Sequence, residues 1–145
     1  MYYSTYGKPS KVSNPLMDKM VIFAADFLEI DETIEVDFEA DFDDIAGFCD
    51  YDKEEGVTIG INPNLSRTEI CKTLFHEMVH AKQYIKGELV SGIGRKPSRW
   101  LGKEVEADYM DLPWEREAYE HEAAMWAIFS TEILTSKLKR LLMFT

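Results

Sequence analysis

The sequence predicts a single α+β domain: an N-terminal helix, a small antiparallel three-stranded sheet, a second helix carrying a histidine pair, and a long C-terminal helix. Three observations predict it. The 145 residues suit one ordinary domain with one core, residues 1–145, of which 1–13 are polar enough to be flexible. Apolar residues make up 46% of the chain and recur at helical or strand spacing, which excludes a disordered polymer. Finally, the two periodicities come in blocks, with strand-like segments grouped between helical ones, the signature of an α+β layout rather than an alternating one.

The elements follow in order. "NPLMDKMVIFAADFLEI" places Asn14 as a cap and Pro15 in a first turn, so a helix is expected over about 15–29. "TIEVDF", "IAGFCDYD" and "GVTIGIN" are rich in β-branched and aromatic residues and separated by acidic or glycine-containing turns, which reads as an antiparallel meander. "NLSRTEICKTLFHEMVHAKQYIKGE" opens with a capping box, Ser66 with Glu69, and closes on Gly87 where a left-handed residue is needed. Residues 88–112 are irregular, and a segment of that length is commonly functional; with Gly92 and Gly94 it has the makings of a lid. A last helix starts at Pro113 and ends in a basic turn that suits its dipole.

A net charge of −11 opposes phosphate backbones, so nucleic acid is disfavoured as a partner, although Arg95, Lys96, Arg99 and Lys103 concentrate positive charge locally. No charged-then-apolar leader opens the chain and no apolar run approaches bilayer length. A cytoplasmic protein without a membrane partner is expected. Cys49 and Cys71 fall in a strand and on the rear of a helix and read as buried free thiols.

The chemistry lies in "HEMVH". On a helix, His76 and His80 sit one turn apart and can offer both imidazoles to one cation, while Glu77 is offset by about a quarter-turn. That is the physical content of H-E-x-x-H: two nitrogen ligands, and a carboxylate that takes a proton from activated water. Ile70, Leu74, Met78, Ala81 and Ile85 group on one side of this helix, leaving His76, His80 and Gln83 to face a cleft.

A catalytic zinc requires a third protein ligand. The metzincin spacing would put a histidine where Lys86 stands and a glycine where Gln83 stands, so that subclass is excluded. "PWEREAYEHE" offers Glu115, Glu117, Glu120, Glu122 and, as a competing ligand, His121. Glu115 shares its side of the helix with Ala118, Glu122, Trp126, Phe129 and Ile133, the bulky apolar side; Glu117 and His121 point the other way. An inward carboxylate needs a positive partner, so Glu115 is the expected ligand, with Glu117, Glu122 and His121 as alternatives. Tyr84 and Tyr119 are candidates for stabilising an oxyanion.

"HEMVHAKQ" followed by "PWEREA" resembles the gluzincin branch of H-E-x-x-H zinc metallopeptidases, nearest to compact phage and bacterial members related to ImmA-like and SprT-like peptidases. In those families an alanine commonly stands three residues after the ligand glutamate, as Ala118 does after Glu115. The resemblance implies a minimal zincin-like fold, a Zn2+ cofactor held by His76, His80 and Glu115, and hydrolysis of a polypeptide substrate with Glu77 as general base. It also implies a host-cytoplasmic setting if the chain is phage-encoded. Many gluzincins carry an aspartate four residues beyond the ligand glutamate; this chain has Tyr119, leaving Glu122 or Gln83 to support a ligand histidine. "VTIGIN" is expected to pair with an extended substrate. The rival readings are a zincin-like protein-binding module, against which Glu77 argues, and an SprT-like DNA-associated protease, against which the acidic charge argues.

Overall fold

The computed structural model describes residues 2–143. In chain order the elements are β1 (Tyr3–Tyr6), α1 (Asn14–Leu28), β2 (Ile34–Asp37), β3 (Gly47–Asp52), β4 (Gly56–Ile61), α2 (Arg67–Ile85), β5 (Leu89–Val90), β6 (Arg99–Trp100), β7 (Lys103–Glu104), a 3₁₀ turn (Tyr109–Asp111) and α3 (Pro113–Met143). The α+β class and the three helices are as the sequence predicts.

The sheet is not the expected meander. Its order is β1-β2-β4-β3, with β1 parallel to β2, β2 parallel to β4, and only β3 and β4 antiparallel. The reason lies in the connections. The β3–β4 turn is tight, closed by the Asp52 carboxylate accepting from the Glu54 and Glu55 amides. The acidic stretch between β2 and β3 is long enough to carry the chain past the β4 position to the outer edge. β4, a nearly continuous buried run, takes the central place that such runs favour. Among the first dozen residues, read as flexible, Tyr3–Tyr6 add a strand that pairs in register with Ile34–Asp37. An antiparallel three-stranded sheet does exist, but it is the small one formed by β5, β6 and β7 within the irregular segment.

One core joins the layers. Met20, Val21 and Ala24 of α1 pack with Ile34, Val36, Ile59 and Ile61 of the sheet and with Leu74, Phe75 and Met78 of α2. Phe23, Phe75 and Phe129 bring α3 into the same cluster, with ring centroids 5.3–5.6 Å apart. The α1 cap is Ser13 rather than Asn14: the Ser13 hydroxyl accepts from the Leu16 amide, and Asn14 is already helical. In α2 the Ser66 hydroxyl accepts from the Glu69 amide, as its capping sequence predicts. Gly87, at φ 71°, ends the helix by donating to the Tyr84 carbonyl while Glu88 donates to that of Gln83. That pair of bonds is a Schellman motif, which requires the left-handed residue at that point.

Candidate metal centre

From Ile70 to Gln83 no residue of α2 is exposed, and its histidine side faces both the expected cleft and a partner helix. One side carries Ile70, Leu74 and Met78 into the core; the other presents His76, His80 and Gln83, which α3 covers. The polar side is buried because every group on it has a partner across the helix interface.

The two imidazoles stand one helical turn apart, centroids 4.9 Å from each other, and Glu115 from the first turn of α3 closes the group. His76 Nε2 lies 3.0 Å from Glu115 Oε1, and His80 Nε2 lies 3.1 Å from Glu115 Oε2. The ligand-type atoms of all three residues fall within 4.8 Å of one another, and the three are only 7–8% exposed. This group could hold a metal ion. Helical spacing joined the histidines, and the apolar side of α3 selected Glu115 from several acids.

Both histidines are oriented from behind. The His76 Nδ1–H donates to Glu122 Oε1 at 3.0 Å, and the His80 Nδ1–H donates to Gln83 Oε1 at 2.8 Å. With each Nδ1 so engaged, the neutral form of each ring directs its Nε2 lone pair at Glu115, which is the tautomer a metal requires. The donor chemistry, two imidazole nitrogens and a carboxylate with fixed outer partners, fits a first-row divalent ion. Gln83, fully buried, also donates to the Trp114 carbonyl at 3.0 Å and to Glu117 Oε1 at 3.2 Å.

The alternative ligands are placed elsewhere. Glu117 does not point away from α2: it pairs with Lys82 at 2.8 Å and accepts from Gln83, because the end of α2 lies close enough for a long carboxylate to reach. His121 bonds the Glu117 carbonyl and sets its ring edge against Phe27, on the flank toward α1. Glu122 stands behind His76 rather than beside Glu115.

The cluster's charges are strongly coupled. Burial works against a charged His76, but the Glu115 and Glu122 carboxylates outweigh it and lift the imidazole to about 9. Burial likewise opposes charge on His80, and Glu115 and Gln83 reverse its effect, so this ring too is raised. Burial disfavours ionised Glu115, yet hydrogen bonds from His76, His80 and Tyr109 hold it well below the usual carboxylate range. Glu77 goes the other way: burial pushes its carboxyl up against the pull of both histidines.

Glu77 lines a hollow of about 260 Å³ together with His76, His80 and Glu115. Gly47 of β3 forms another side of it, and a side chain there has no room: a Cβ on Gly47 would sit 2.5 Å from the Gly60 carbonyl oxygen and 2.7 Å from Thr73 Cγ2. The residue that sequence reasoning missed is Tyr109. Its hydroxyl donates to Glu115 Oε1 at 2.9 Å from the 3₁₀ turn just before α3. The only signal for it was an aromatic shortly before the ligand glutamate. Tyr84 lines the same hollow, with its hydroxyl accepting from Ser91. Tyr119 is 41% exposed, its ring 4.5 Å from that of His76. Of the two thiols, Cys71 is buried and Cys49 only partly so. Among the described residues, no helix is long and apolar enough to cross a membrane. No protein-family model, no curated protein and no solved structure matches the chain, so the reading of this site rests on its own geometry.

Proposed function

We propose that the chain is a zinc-dependent metallopeptidase whose site resembles that of the gluzincins, with His76, His80 and Glu115 as ligands and Glu77 as general base. The observation that carries this reading is the buried His76–His80–Glu115 group with each Nδ1 pinned and the partly buried Glu77 carboxylate lining the same hollow. A zinc ion there would supply a Lewis acid that polarises a carbonyl and lowers the pKa of water to about 7.

The chain's own residues supply the rest. Glu77, its carboxyl raised by burial, is suited to take a proton from the attacking water near neutral pH and return it to the leaving amine. Glu122 and Gln83 hold the two imidazoles in the productive tautomer. Tyr109 orients Glu115 through its hydroxyl, which donates directly to a carboxylate oxygen of the ligand group.

The substrate reading shifts from β4 to β3. β4 is central in the sheet, so its backbone is already paired, whereas β3 has β4 on one side only. Three hollows abut along β3, touching Ile45–Gly47, Gly47–Cys49 and Cys49–Tyr51 in turn, with Glu77 lining the first two. An extended polypeptide added to that edge would pass the base, which favours a peptide over a small amide.

The test is metal content and hydrolysis of a denatured polypeptide. Native chain should hold about one zinc, in keeping with a three-ligand site. Glu115→Ala should lose it and Glu117→Ala should keep it. Glu77→Gln should keep the zinc and lose turnover by about 10²–10⁴ fold. Folded native chain that binds no zinc would remove the reading, and full activity in Glu77→Gln would remove its mechanism.

A further inference from the structure

Apart from the hollow at the metal centre, with which it shares no lining residue, α1, α2 and α3 enclose a groove of about 400 Å³. Its floor is apolar, built from Met20, Cys71, Trp126, Phe129 and Ile133. Its rim carries Lys19, Arg67, Lys137 and Arg140. No acid lines it, although acids outnumber bases 27 to 16 in the whole chain. Among the described residues, none of these four cations is in an ion pair. A fifth cation, Lys72, lies 5.5 Å from the centroid of the Trp126 ring.

The apolar surface continues beyond the groove. Leu134, Leu138 and Leu141 follow one another at one-turn spacing along α3, each more than half exposed, immediately beside the stripe that holds Lys137 and Arg140. Residues 134–143 are exposed throughout. An apolar floor, an unpaired basic rim and a bare helical end together describe a half-finished helix interface.

We infer that this groove docks an amphipathic, acidic helix of a partner protein, its leucine-type face on Trp126, Phe129 and Ile133 and its carboxylates on Lys19, Lys137 and Arg140. The charges select the partner. A symmetric dimer through the same face would bring Lys137 and Arg140 toward their own copies. Nucleic acid offers the right charge but nothing to cover an apolar floor, and a lipid surface needs a protruding apolar face where this one is concave. The net charge of −11 acts at long range and is screened beyond about 8 Å at physiological salt, whereas the rim acts at contact. The inference does not depend on the metal centre.

The test uses the whole chain and a fluorescent helical peptide of about four turns, the length of α3 from Trp126 to Arg140 at ~1.5 Å per residue. It carries leucines on one face and glutamates elsewhere; the control replaces glutamate with lysine. The glutamate peptide should bind, with affinity falling as salt rises, and the lysine peptide should not. Lys137→Glu with Arg140→Glu, both exposed positions, should weaken binding at least about tenfold while leaving zinc content and the unfolding midpoint unchanged. Ile133→Asp should weaken it through the floor. Equal binding of both peptides, or indifference to the charge reversals, overturns the inference. So does a concentration-dependent dimer that the reversals abolish, or anionic phosphatidylglycerol vesicles binding through these residues while the glutamate peptide does not.

Discussion

The charge state of His76 makes metal affinity steeply dependent on pH, and the size of the effect follows from the site. A metal ligand must be neutral, but in the metal-free chain Glu115 and Glu122 hold this imidazole protonated up to about 9. At pH 7 the neutral form is therefore about two pH units out of reach, which weakens apparent binding by about 100-fold, or about 2.7 kcal/mol at 1.36 kcal/mol per unit. His80 is raised as well and adds to the slope in the same direction. Apparent affinity for zinc should climb by about one to two decades per pH unit from pH 7 toward 9. Calorimetric titrations in buffers of different ionisation enthalpy count the protons directly, and one to two should leave per ion bound at pH 7. Glu122→Gln should lower the His76 pKa and reduce that release. A flat affinity over this range, or no proton release at pH 7, would refute the argument that the carboxylates control the ligand histidines.

The same linkage has the opposite sign for the metal-free fold. The His76 pKa is higher in the fold than in the free side chain, so its stabilisation is complete below pH 6.5 and disappears as pH rises through about 9; thermal unfolding of chelator-treated chain should show a falling Tm over that interval, and zinc should abolish the fall. Gln83→Ala removes the acceptor that orients His80 and strands the Trp114 carbonyl, so zinc affinity should drop about 10–100-fold and stability by about 1–3 kcal/mol in a denaturant titration. Gly47→Ala forces a methyl against the Gly60 carbonyl of β4 and Thr73 of α2, and should cost about 1–3 kcal/mol in the same titration; unchanged stability would mean that Gly47 lies farther from both than described.

What the sequence made legible was what local spacing encodes. The histidine pair, the Ser66 cap and the Gly87 stop are all written within one helix, and each stands where its residue type requires. Glu115 could be reached because α3 has one apolar side and a carboxylate on it needs a reason. Strand order was not legible: "TIEVDF" and "GVTIGIN" have strand character, but nothing in either states that they lie side by side and parallel while β3 goes outside. Tyr109 escaped for a related reason. Its role depends on where a 3₁₀ turn sets its hydroxyl relative to a helix that begins four residues later, and side-chain period carries no such information. The polar side of α2 faces a cleft as its spacing predicts, but that α3 also covers it was not legible, because the groups that satisfy His76 and Gln83 lie on another element.

Gln83 has a consequence for topology. Its amide joins the end of α2 to the Trp114 carbonyl, and Lys82 bridges Glu88 and Glu117 beside it, so the chain that leaves at Gly87 is clamped to the place where it returns at Pro113. Everything between, the β5–β7 sheet and the Tyr109 turn, hangs as a loop drawn shut at its neck. The neck bears the metal ligands, and the loop bears Leu89 and Tyr109 that wall the hollow. A peptide bond cut among residues 91–98 would thus divide the chain without parting the site: both fragments would stay joined through α2 and α3, and the walls of the hollow would be free to swing while its floor stayed in place.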